Sequence, residues 1–201
     1  TDRDYRFSQD YQPVAVLPPD KRASFMGIVR ADGRVATRNY LGVFVVGNCG
    51  ATAARKISDY FDEERLADFP NIDGVVPYVH ETGCGMEMTG EPMDLLRRTI
   101  AGHMRHPNTA GALVIALGCE RNNIWGFLEQ EKLVVGPKLQ TLVIQDAGGM
   151  AETIAKGREA VEKLEKTLSD RYQHPIRVNL EVKPELIGGV RVQLAGDIID
   201  G

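Results

Sequence analysis

The sequence predicts an α/β fold, with a mostly parallel four-stranded sheet, flanking helices and a C-terminal antiparallel β pair. Two observations support this prediction. Apolar runs of strand length alternate with segments whose apolar residues recur at helical spacing, which is typical of a parallel sheet with helical crossovers. Beyond residue 170 the pattern changes to short segments that alternate with period two, which is typical of antiparallel strands.

The first forty residues precede the regular alternation. Residues 1–24 are polar and interrupted by prolines, which predicts an extended arm or linker. Because the chain begins with Thr1 rather than Met, we expect it to be part of a longer protein. Over Phe25–Tyr40 the turn signal Ala31-Asp32-Gly33-Arg34 separates two short apolar stretches and predicts a hairpin or an irregular strand pair.

An α/β domain is predicted over residues 25–170. Its four strands are predicted at 41–46, 74–79, 112–117 and 141–145, where apolar residues dominate. Helices are predicted at about 51–61, 91–104, 125–130 and 151–169. Right-handed crossovers through these helices would make the strands parallel.

Residues 171–201 are predicted to form a β-hairpin tail. Segments 175–182 and 190–194 alternate with period two, so we expect them to pair. Pro184-Glu-Leu-Ile-Gly-Gly189 lies between them as a turn or a short helical piece.

Composition narrows the function classes. Hydrophobic residues make up 43% and charged residues 26% of the chain, as in an ordinary soluble domain. The net charge of −4 and the absence of a Lys/Arg block argue against nucleic-acid binding. No apolar run reaches the roughly 18 residues of a membrane span. Three cysteines without the spacing of a secreted scaffold predict free thiols and a cytoplasmic location.

The cysteines lie at equal intervals and at equivalent places. Cys49, Cys84 and Cys119 are 35 residues apart, and each closes an apolar run. Ligands of open α/β sheets bind outside the carboxyl ends of the strands, where all three sulfurs would project. Thiolates are soft ligands, so we predict a metal site: an iron–sulfur cluster, or a single ferrous or zinc ion. Packing as small buried hydrophobes is the alternative.

Three residues near the cysteines are candidates for acid–base catalysis. His80 and His106 could ligate metal or transfer a proton near neutral pH. Alternatively, backbone groups satisfy the His80 ring, and His106 caps the helix before it. Glu120 adjoins a buried strand end, where a carboxylate is costly unless it is paired, so we interpret it as functional.

Six further residues are candidates for substrate binding. Arg121 could hold a carboxylate in bidentate fashion, and Arg38 could line the site or a subunit contact. The alternative for Arg38 is a solvated hairpin. The amides that could bind hydroxyl groups are Asn39, Asn48, Asn108 and Asn122. The alternative for Asn108 is a Pro-Asn turn.

Several sequence motifs, in their order along the chain, resemble those of a known family. The motifs are Phe25-Met-Gly-Ile-Val-Arg-Ala-Asp-Gly-Arg-Val-Ala-Thr-Arg-Asn-Tyr40, Gly47-Asn-Cys49, His80-Glu-Thr-Gly-Cys-Gly85, His106-Pro-Asn108 and Leu117-Gly-Cys-Glu120. Over about residues 25–157 the chain resembles the altronate/galactarate dehydratase family, which also includes sulfolactate sulfo-lyase. The resemblance implies iron-dependent dehydration of sugar acids to 2-keto-3-deoxy acids. It also implies that His80, Cys84, His106, Cys119 and Glu120 belong to the site region.

The C-terminal segment resembles a different family. Pro184-Glu-Leu-Ile-Gly-Gly189 and Asp197-Ile-Ile-Asp-Gly201 are similar to the C-terminal part of the ATP synthase delta subunit. This second resemblance covers about the last 30 residues. It indicates either a composite chain or a divergent family tail.

Together these observations predict a hydro-lyase domain that acts on an aldonate or aldarate such as altronate or galactarate. Dehydratases of this family also carry a small N-terminal domain and a large C-terminal region, so we expect this chain to be the middle domain, missing both. We also expect a homodimer. The alternatives are a non-catalytic dimerisation or assembly module of such an enzyme and, from the tail only, an ATP synthase stalk subunit.

Overall fold

The structure is a computed structural model that describes residues 15–21, 24–169, 176–179, 191–194 and 197–200. The chain divides into two compact units, and the larger, Met26–Ile176, contains the parallel sheet. Of the predicted arm, residues 15–18 have no regular structure and Pro19–Lys21 forms a 3-10 turn. The remainder of the arm, 1–14 and 22–23, lies outside the described residues.

The predicted strand pair at 25–40 is confirmed. Strands β1 (Ser24–Val29) and β2 (Val35–Ala36) are antiparallel, with Val29 opposite Val35. The Arg30 amide donates to the Arg34 carbonyl at 2.8 Å and closes the turn between them.

Four parallel strands form the central sheet, which confirms the predicted fold class. They are β3 (Tyr40–Val45), β4 (Gly74–Tyr78), β5 (Thr109–Ala116) and β6 (Leu139–Val143), in the spatial order β4-β3-β5-β6. Each lies within a few residues of its predicted bounds. Tyr40 is opposite both Gly74 and Thr109, so the amino ends of the three strands share one edge of the sheet.

The helices are α1 (Ala51–Ser58), α2 (Glu63–Leu66), α3 (Glu91–Met104), α4 (Ile124–Gln130), α5 (Ile144–Ala147) and α6 (Met150–Ser169). The sequence predicts α1, α3, α4 and α6 but neither α2 nor α5. Each of those two is a single turn of four residues, too short to show a 3.6-residue periodicity. The Asp62 side chain, which accepts from the Arg65 amide, begins α2.

Two cores cover the two faces of the sheet. Side chains of α1 and α6 pack with Leu41, Val43 and Val45 on one face. Side chains of α3 and α4 pack with Phe44 and Val46 on the other. Because both faces of a parallel sheet are buried, β3 is apolar without interruption, which makes its location predictable.

The C-terminal region contains β7 (Ile176–Asn179), β8 (Arg191–Leu194) and β9 (Asp197–Asp200). The predicted antiparallel pair is confirmed, but its members differ from the prediction. Among the described strands, β8 pairs with β9, with Arg191 opposite Asp200, and not with β7, which lies in the segment predicted as its partner. Only two residues separate β8 from β9 in the sequence, and a two-residue connection suffices for an antiparallel pair. Residues 184–189 lie outside the described residues.

Helix α6 has charged residues throughout its 20 residues. Neither it nor any other helix in the described ranges combines the length and apolar character that a membrane span requires.

A buried carboxylate on α6 predicts a pH-dependent stability. Glu165 is fully buried, and in the described part of the chain neither of its carboxylate oxygens has a hydrogen-bond partner. Burial, assisted by the charge of Glu162, raises the pKa of Glu165 from 4.5 to about 7. Folding therefore favours the protonated form, and stability is full below pH 4.5 and falls as the pH rises through 7.

Glu165→Gln removes this ionisation. We expect the variant to exceed the parent protein in free energy of unfolding by on the order of 2 kcal/mol at pH 8, and to lose that advantage at pH 4. Urea unfolding at both pH values measures the difference. Glu159→Gln, at an exposed position of the same helix, is the control, with no change expected at either pH. Equal stability of parent and Glu165→Gln at pH 8 would refute the prediction.

Candidate functional site

The cysteines lie at the edge of the sheet where an α/β fold binds ligands. The chain leaves the carboxyl end of β3 towards β4, and leaves that of the adjacent β5 towards β6 on the opposite side. Such a divergence between neighbouring strands is a topological switch point, and it opens a crevice. Cys49, Cys84 and Cys119 lie in the loops that follow β3, β4 and β5.

Cys49 lies in the 3-10 turn Asn48–Gly50 that connects β3 to α1. Gly50 is buried, and a Cβ there would lie 3.2 Å from Val45 and 3.3 Å from Ile115. The turn is therefore packed closely onto the strand ends. Its only sulfur, that of Cys49, is exposed and contacts the amide oxygen of Asn48 at 3.6 Å.

A glycine fixes the loop after β4 against this turn. Gly83 has a φ of +96°, and a Cβ there would lie 2.5 Å from the Val46 carbonyl oxygen and 2.6 Å from Gly47 Cα. Only glycine permits this close approach of two backbones. The Asn48 amide also donates to the Thr82 carbonyl at 2.9 Å, so the two loops are joined directly before Cys49 and Cys84.

The result is a pair of neighbouring thiols. Cys49 Sγ and Cys84 Sγ are 3.5 Å apart, and either can donate the hydrogen bond between them. Burial raises the pKa of Cys84 to about 11, assisted by the hydrogen bond and the charge of Cys49 and by the charges of Glu120 and Cys119. Cys84 is thus protonated at neutral pH, and a cation bound beside it would favour its thiolate.

The third cysteine does not complete a ligand set. Cys119 is exposed in the loop after β5, and its charge is among those that raise the pKa of Cys84. Within the described ranges, no group of three or more His, Cys, Asp or Glu side chains is arranged to hold a metal ion. The structure therefore brings together two of the three predicted ligands.

Glu120 holds the loop after β5. Its carboxylate is buried and accepts hydrogen bonds from the amides of Leu117 and Gly118, the latter at 2.8 Å. A Cβ on Gly47 would lie 2.6 Å from Glu120 Cγ, so this side chain also packs against the loop after β3. The partners of the buried carboxylate are thus backbone amides. These hydrogen bonds orient the loop that contains Cys119.

His80 is also held on both sides of its ring. Nε2 lies 3.0 Å from the Val45 carbonyl and donates to it, which leaves Nδ1 as the acceptor. Nδ1 accepts from the amide of Thr82 at 3.3 Å and lies 3.2 Å from its hydroxyl. His80 therefore joins β3 to the cysteine loop, and Nδ1 is its basic atom.

Asn122 connects three elements beneath the cysteine loops. It is fully buried, and its side-chain amide donates to the Val46 carbonyl at 2.9 Å, while its backbone amide donates to the Gly83 carbonyl at 3.0 Å. Its side-chain oxygen accepts from Arg97 Nε at 2.9 Å. Asn122 thereby positions Gly83, and with it Cys84.

Arg97 is a contributor that the sequence analysis missed. This buried arginine of α3 also donates to Gln130 at 2.5 Å. It occurs on the apolar stripe of α3 with Met93, Ile100 and Ala101. A charged residue at an apolar position of the helix pattern could have indicated a structural role, because a buried cation needs specific partners.

Two of the predicted substrate-binding residues face solvent at the cysteine edge. Asn48 and Arg121 are both exposed. Within the described residues, no carboxylate forms an ion pair with the Arg121 guanidinium. Both side chains are thus available to a ligand.

Four predicted site residues lie at the opposite edge of the sheet. Arg38 and Asn39 precede β3, and His106 and Asn108 precede β5. Strand β5 has eight residues, a length of about 26 Å at 3.3 Å per residue. The structure therefore does not bring these four residues to the cysteines. Residues that precede a strand and residues that follow it lie at opposite edges of the sheet. The prediction of a single site that contains all the candidates was therefore wrong for these four residues.

At that edge the two asparagines hold backbone. Asn39 is buried, and its side-chain amide donates to the Asn71 carbonyl while its side-chain oxygen accepts from Arg30 at 2.8 Å. Its backbone amide donates to Asp73 at 2.6 Å. The Asn108 side chain accepts from the amide of Thr37 at 2.9 Å. The exposed Arg38 side chain donates to the carbonyl of Thr37 at 2.9 Å. His106 lines a cavity of about 470 Å³ near the end of α3.

Comparisons with known proteins assign the chain to a family. Residues 27–169 match the profile of a family described as D-galactarate dehydratase/altronate hydrolase, second domain. The chain belongs to this family. The match spans the parallel sheet and all six helices, and it confirms the resemblance on which the prediction of the family depends.

Curated relatives agree with this assignment. An altronate dehydratase of Escherichia coli is 32% identical over 125 residues, which are 62% of this chain and 24% of the relative. An altronate dehydratase of Bacillus subtilis is 30% identical over 105 residues, 52% of this chain and 20% of the relative. The chain thus spans about a quarter or less of the length of these dehydratases.

The second resemblance is also confirmed. Residues 155–201 match the profile of the ATP synthase delta (OSCP) subunit. An ATP synthase subunit delta of Kineococcus radiotolerans is 55% identical over 75 residues, 37% of this chain and 26% of the relative. The profile match begins within α6, and the match to the Kineococcus subunit is longer still. Both exceed the 30 residues that carry the resemblance in the sequence. Helix α6 belongs to both matches.

Proposed function

We propose that this chain is the domain of a sugar-acid dehydratase that contributes the cysteine pair to the active site. The reaction would be the dehydration of an aldonate or aldarate, such as altronate or galactarate, to a 2-keto-3-deoxy acid. Membership of the family supports this proposal, and the Cys49–Cys84 pair at the topological switch point is the observation that carries it.

We propose a single iron ion for this pair rather than an iron–sulfur cluster. With a metal–sulfur bond of about 2.3 Å, as for zinc, two thiolates on one tetrahedral ion lie about 3.8 Å apart. The observed 3.5 Å fits that separation. In a cubane cluster each cysteine binds a different iron, which requires the sulfurs to lie further apart. When bound, the ion would act as a Lewis acid on a substrate hydroxyl group.

Exposed side chains at the same edge would bind the substrate. Arg121 has a planar guanidinium that suits a carboxylate, and the Asn48 amide suits a hydroxyl group. Asn48 directly precedes Cys49, Arg121 lies two residues after Cys119, and both face solvent. We propose that they hold the sugar acid over the cysteine pair.

His80 is the proposed base. Of the two predicted histidines, it alone lies at the cysteine edge. Its Nδ1 would accept the proton from the carbon α to the carboxylate once the Thr82 amide and hydroxyl both move away from it, while Nε2 stays bonded to the Val45 carbonyl. Because the chain spans about a quarter of its dehydratase relatives, we propose that the remaining domains complete the site and that the enzyme is a homodimer.

Anaerobic titration with ferrous iron tests the proposal. Cys49→Ser and Cys84→Ser should each weaken binding of one ion per chain by at least about tenfold, since each removes one of two thiolates. Cys119→Ser is the matched control and should bind iron as the parent protein does. Equal loss of iron in all three variants, together with acid-labile sulfide in the parent, would instead support a three-cysteine cluster.

The C-terminal region supports a second candidate function. Because residues 155–201 match the ATP synthase delta subunit, we propose as an alternative that this region binds the ATP synthase stalk. The full chain should then bind purified ATP synthase in surface plasmon resonance. Alanine replacement of 184–189 should abolish this binding, whereas Cys49→Ser should not change it. Absence of binding by the unmodified chain would refute this alternative.

A further inference from the structure

We propose that Cys49 and Cys84 are a site of reversible thiol–disulfide exchange, at which a small disulfide of the glutathione-disulfide class converts the pair to an intramolecular disulfide. The inference goes beyond dehydration and does not depend on it. It starts from the two sulfur atoms, which lie 3.5 Å apart in separate loops.

The loops hold the sulfurs in place before any reaction. The Asn48 amide donates to the Thr82 carbonyl at 2.9 Å, and the Asn122 amide donates to the Gly83 carbonyl at 3.0 Å. Gly83 packs directly on Gly47. Closing from 3.5 Å to a disulfide bond of about 2.05 Å therefore needs side-chain rotation and a small loop adjustment. Little chain entropy remains to be lost when the bond forms.

The exposure of the two thiols sets the order of the steps. Cys49 is exposed and Cys84 is half-buried, so an incoming disulfide reaches Cys49 first. The Cys49 thiolate attacks one sulfur of the small disulfide, forms a mixed disulfide and releases one small thiol. Cys84 then loses its proton and attacks Cys49 Sγ, which forms the Cys49–Cys84 bond and releases the second small thiol. The protein is oxidised by two electrons, and the small disulfide is reduced to two thiols.

Cys119 provides an internal control. Like Cys49 it is exposed, but in the described part of the chain no second thiol lies within hydrogen-bonding distance of its sulfur. The same reagent should therefore stop at a mixed disulfide on Cys119. Exposure allows both Cys49 and Cys119 to react with the reagent. Only Cys49 has a second thiol close enough to form an intramolecular disulfide.

A regulatory consequence follows, and this consequence rests on the proposed metal site. A disulfide offers no thiolate, so the oxidised pair cannot bind a metal ion as two thiolates do. Oxidation would release the ion, and a thiol reductant would restore the site.

Mass spectrometry of the intact protein tests the inference. The metal-free, reduced Cys119→Ser variant is incubated with excess glutathione disulfide. It should lose two hydrogens, carry glutathione on at most about a tenth of the chains, and lose both alkylatable thiols in the rest. The double variant Cys84→Ser/Cys119→Ser should instead keep one glutathione, at about tenfold higher occupancy than in Cys119→Ser. Digestion of the unmodified protein should yield a peptide that links residues 49 and 84.

A glutathione adduct that persists on Cys49 while Cys84 stays alkylatable would overturn the inference, as would a cross-link to Cys119 in the unmodified protein. Iron binding by the reduced protein is measured separately. A disulfide that forms in a protein without iron affinity would therefore refute the metal site alone, and iron binding without the disulfide would refute the exchange alone.

Discussion

Replacing Asn122 by leucine is expected to lower the free energy of unfolding by about 3 kcal/mol. The substitution removes the amide that donates to the Val46 carbonyl and the oxygen that accepts from Arg97. The Val46 carbonyl and the Arg97 guanidinium would both remain buried without this partner. Arg97 would keep its hydrogen bond to Gln130. Leaving a buried polar group without its partner costs its full desolvation penalty.

Urea unfolding measures this effect through the midpoint of the transition. Asn48→Leu is the matched control, since Asn48 is exposed and, among the described residues, its side chain hydrogen-bonds only with the Cys49 thiol, at 3.6 Å. We expect the control to change stability by less than about 0.5 kcal/mol. Equal effects of the two substitutions would show that Asn122 does not stabilise the cysteine loops.

Replacing Gly83 by alanine is expected to separate the two thiols. A Cβ at this position would meet backbone of the β3 loop at 2.5 and 2.6 Å, and a φ of +96° strains any L-residue. Because backbone atoms cannot rotate away as a side chain can, the loop that carries Cys84 must shift. We expect a loss of stability of about 3 kcal/mol and at least about tenfold weaker iron binding.

Gly85→Ala provides the control for this substitution. Gly85 lies one residue beyond Cys84, and a Cβ there would meet no atom within 4 Å. The control should bind iron and form the Cys49–Cys84 disulfide as the parent protein does. If Gly83→Ala also keeps both properties, the contact between Gly83 and Gly47 is not what brings the sulfurs together.

The strands and long helices were predictable because both faces of the sheet are buried. The apolar run of β3 and the periodic stripe of α3 each show their structure in the sequence. The single turns α2 and α5 were not predictable, since four residues are held by local capping and packing. The partner of β8 was also missed, because period-two alternation identifies a strand without identifying its neighbour.

The position of the cysteines was predictable for a topological reason, whereas the roles of the asparagines were not. Any residue directly after a parallel strand lies at the carboxyl edge, which applies to Cys49, Cys84 and Cys119. An asparagine amide, however, can bind a substrate hydroxyl or a backbone carbonyl equally well. The side-chain amides of Asn39 and Asn122 donate to backbone carbonyls in this fold, and only the three-dimensional contacts distinguish the two uses.

X-ray absorption spectroscopy at the iron edge tests directly whether Cys49 and Cys84 bind the same iron ion. The protein is loaded anaerobically with ferrous iron, and the spectrum gives the atoms bound to iron and their distances. We predict two sulfur scatterers at about 2.3 Å from one iron, with no iron–iron scattering. Cys49→Ser and Cys84→Ser should each lose at least one of these sulfur scatterers, and Cys119→Ser should keep both. A spectrum with iron–iron scattering, or with oxygen and nitrogen scatterers alone, would refute a single ion held by this pair.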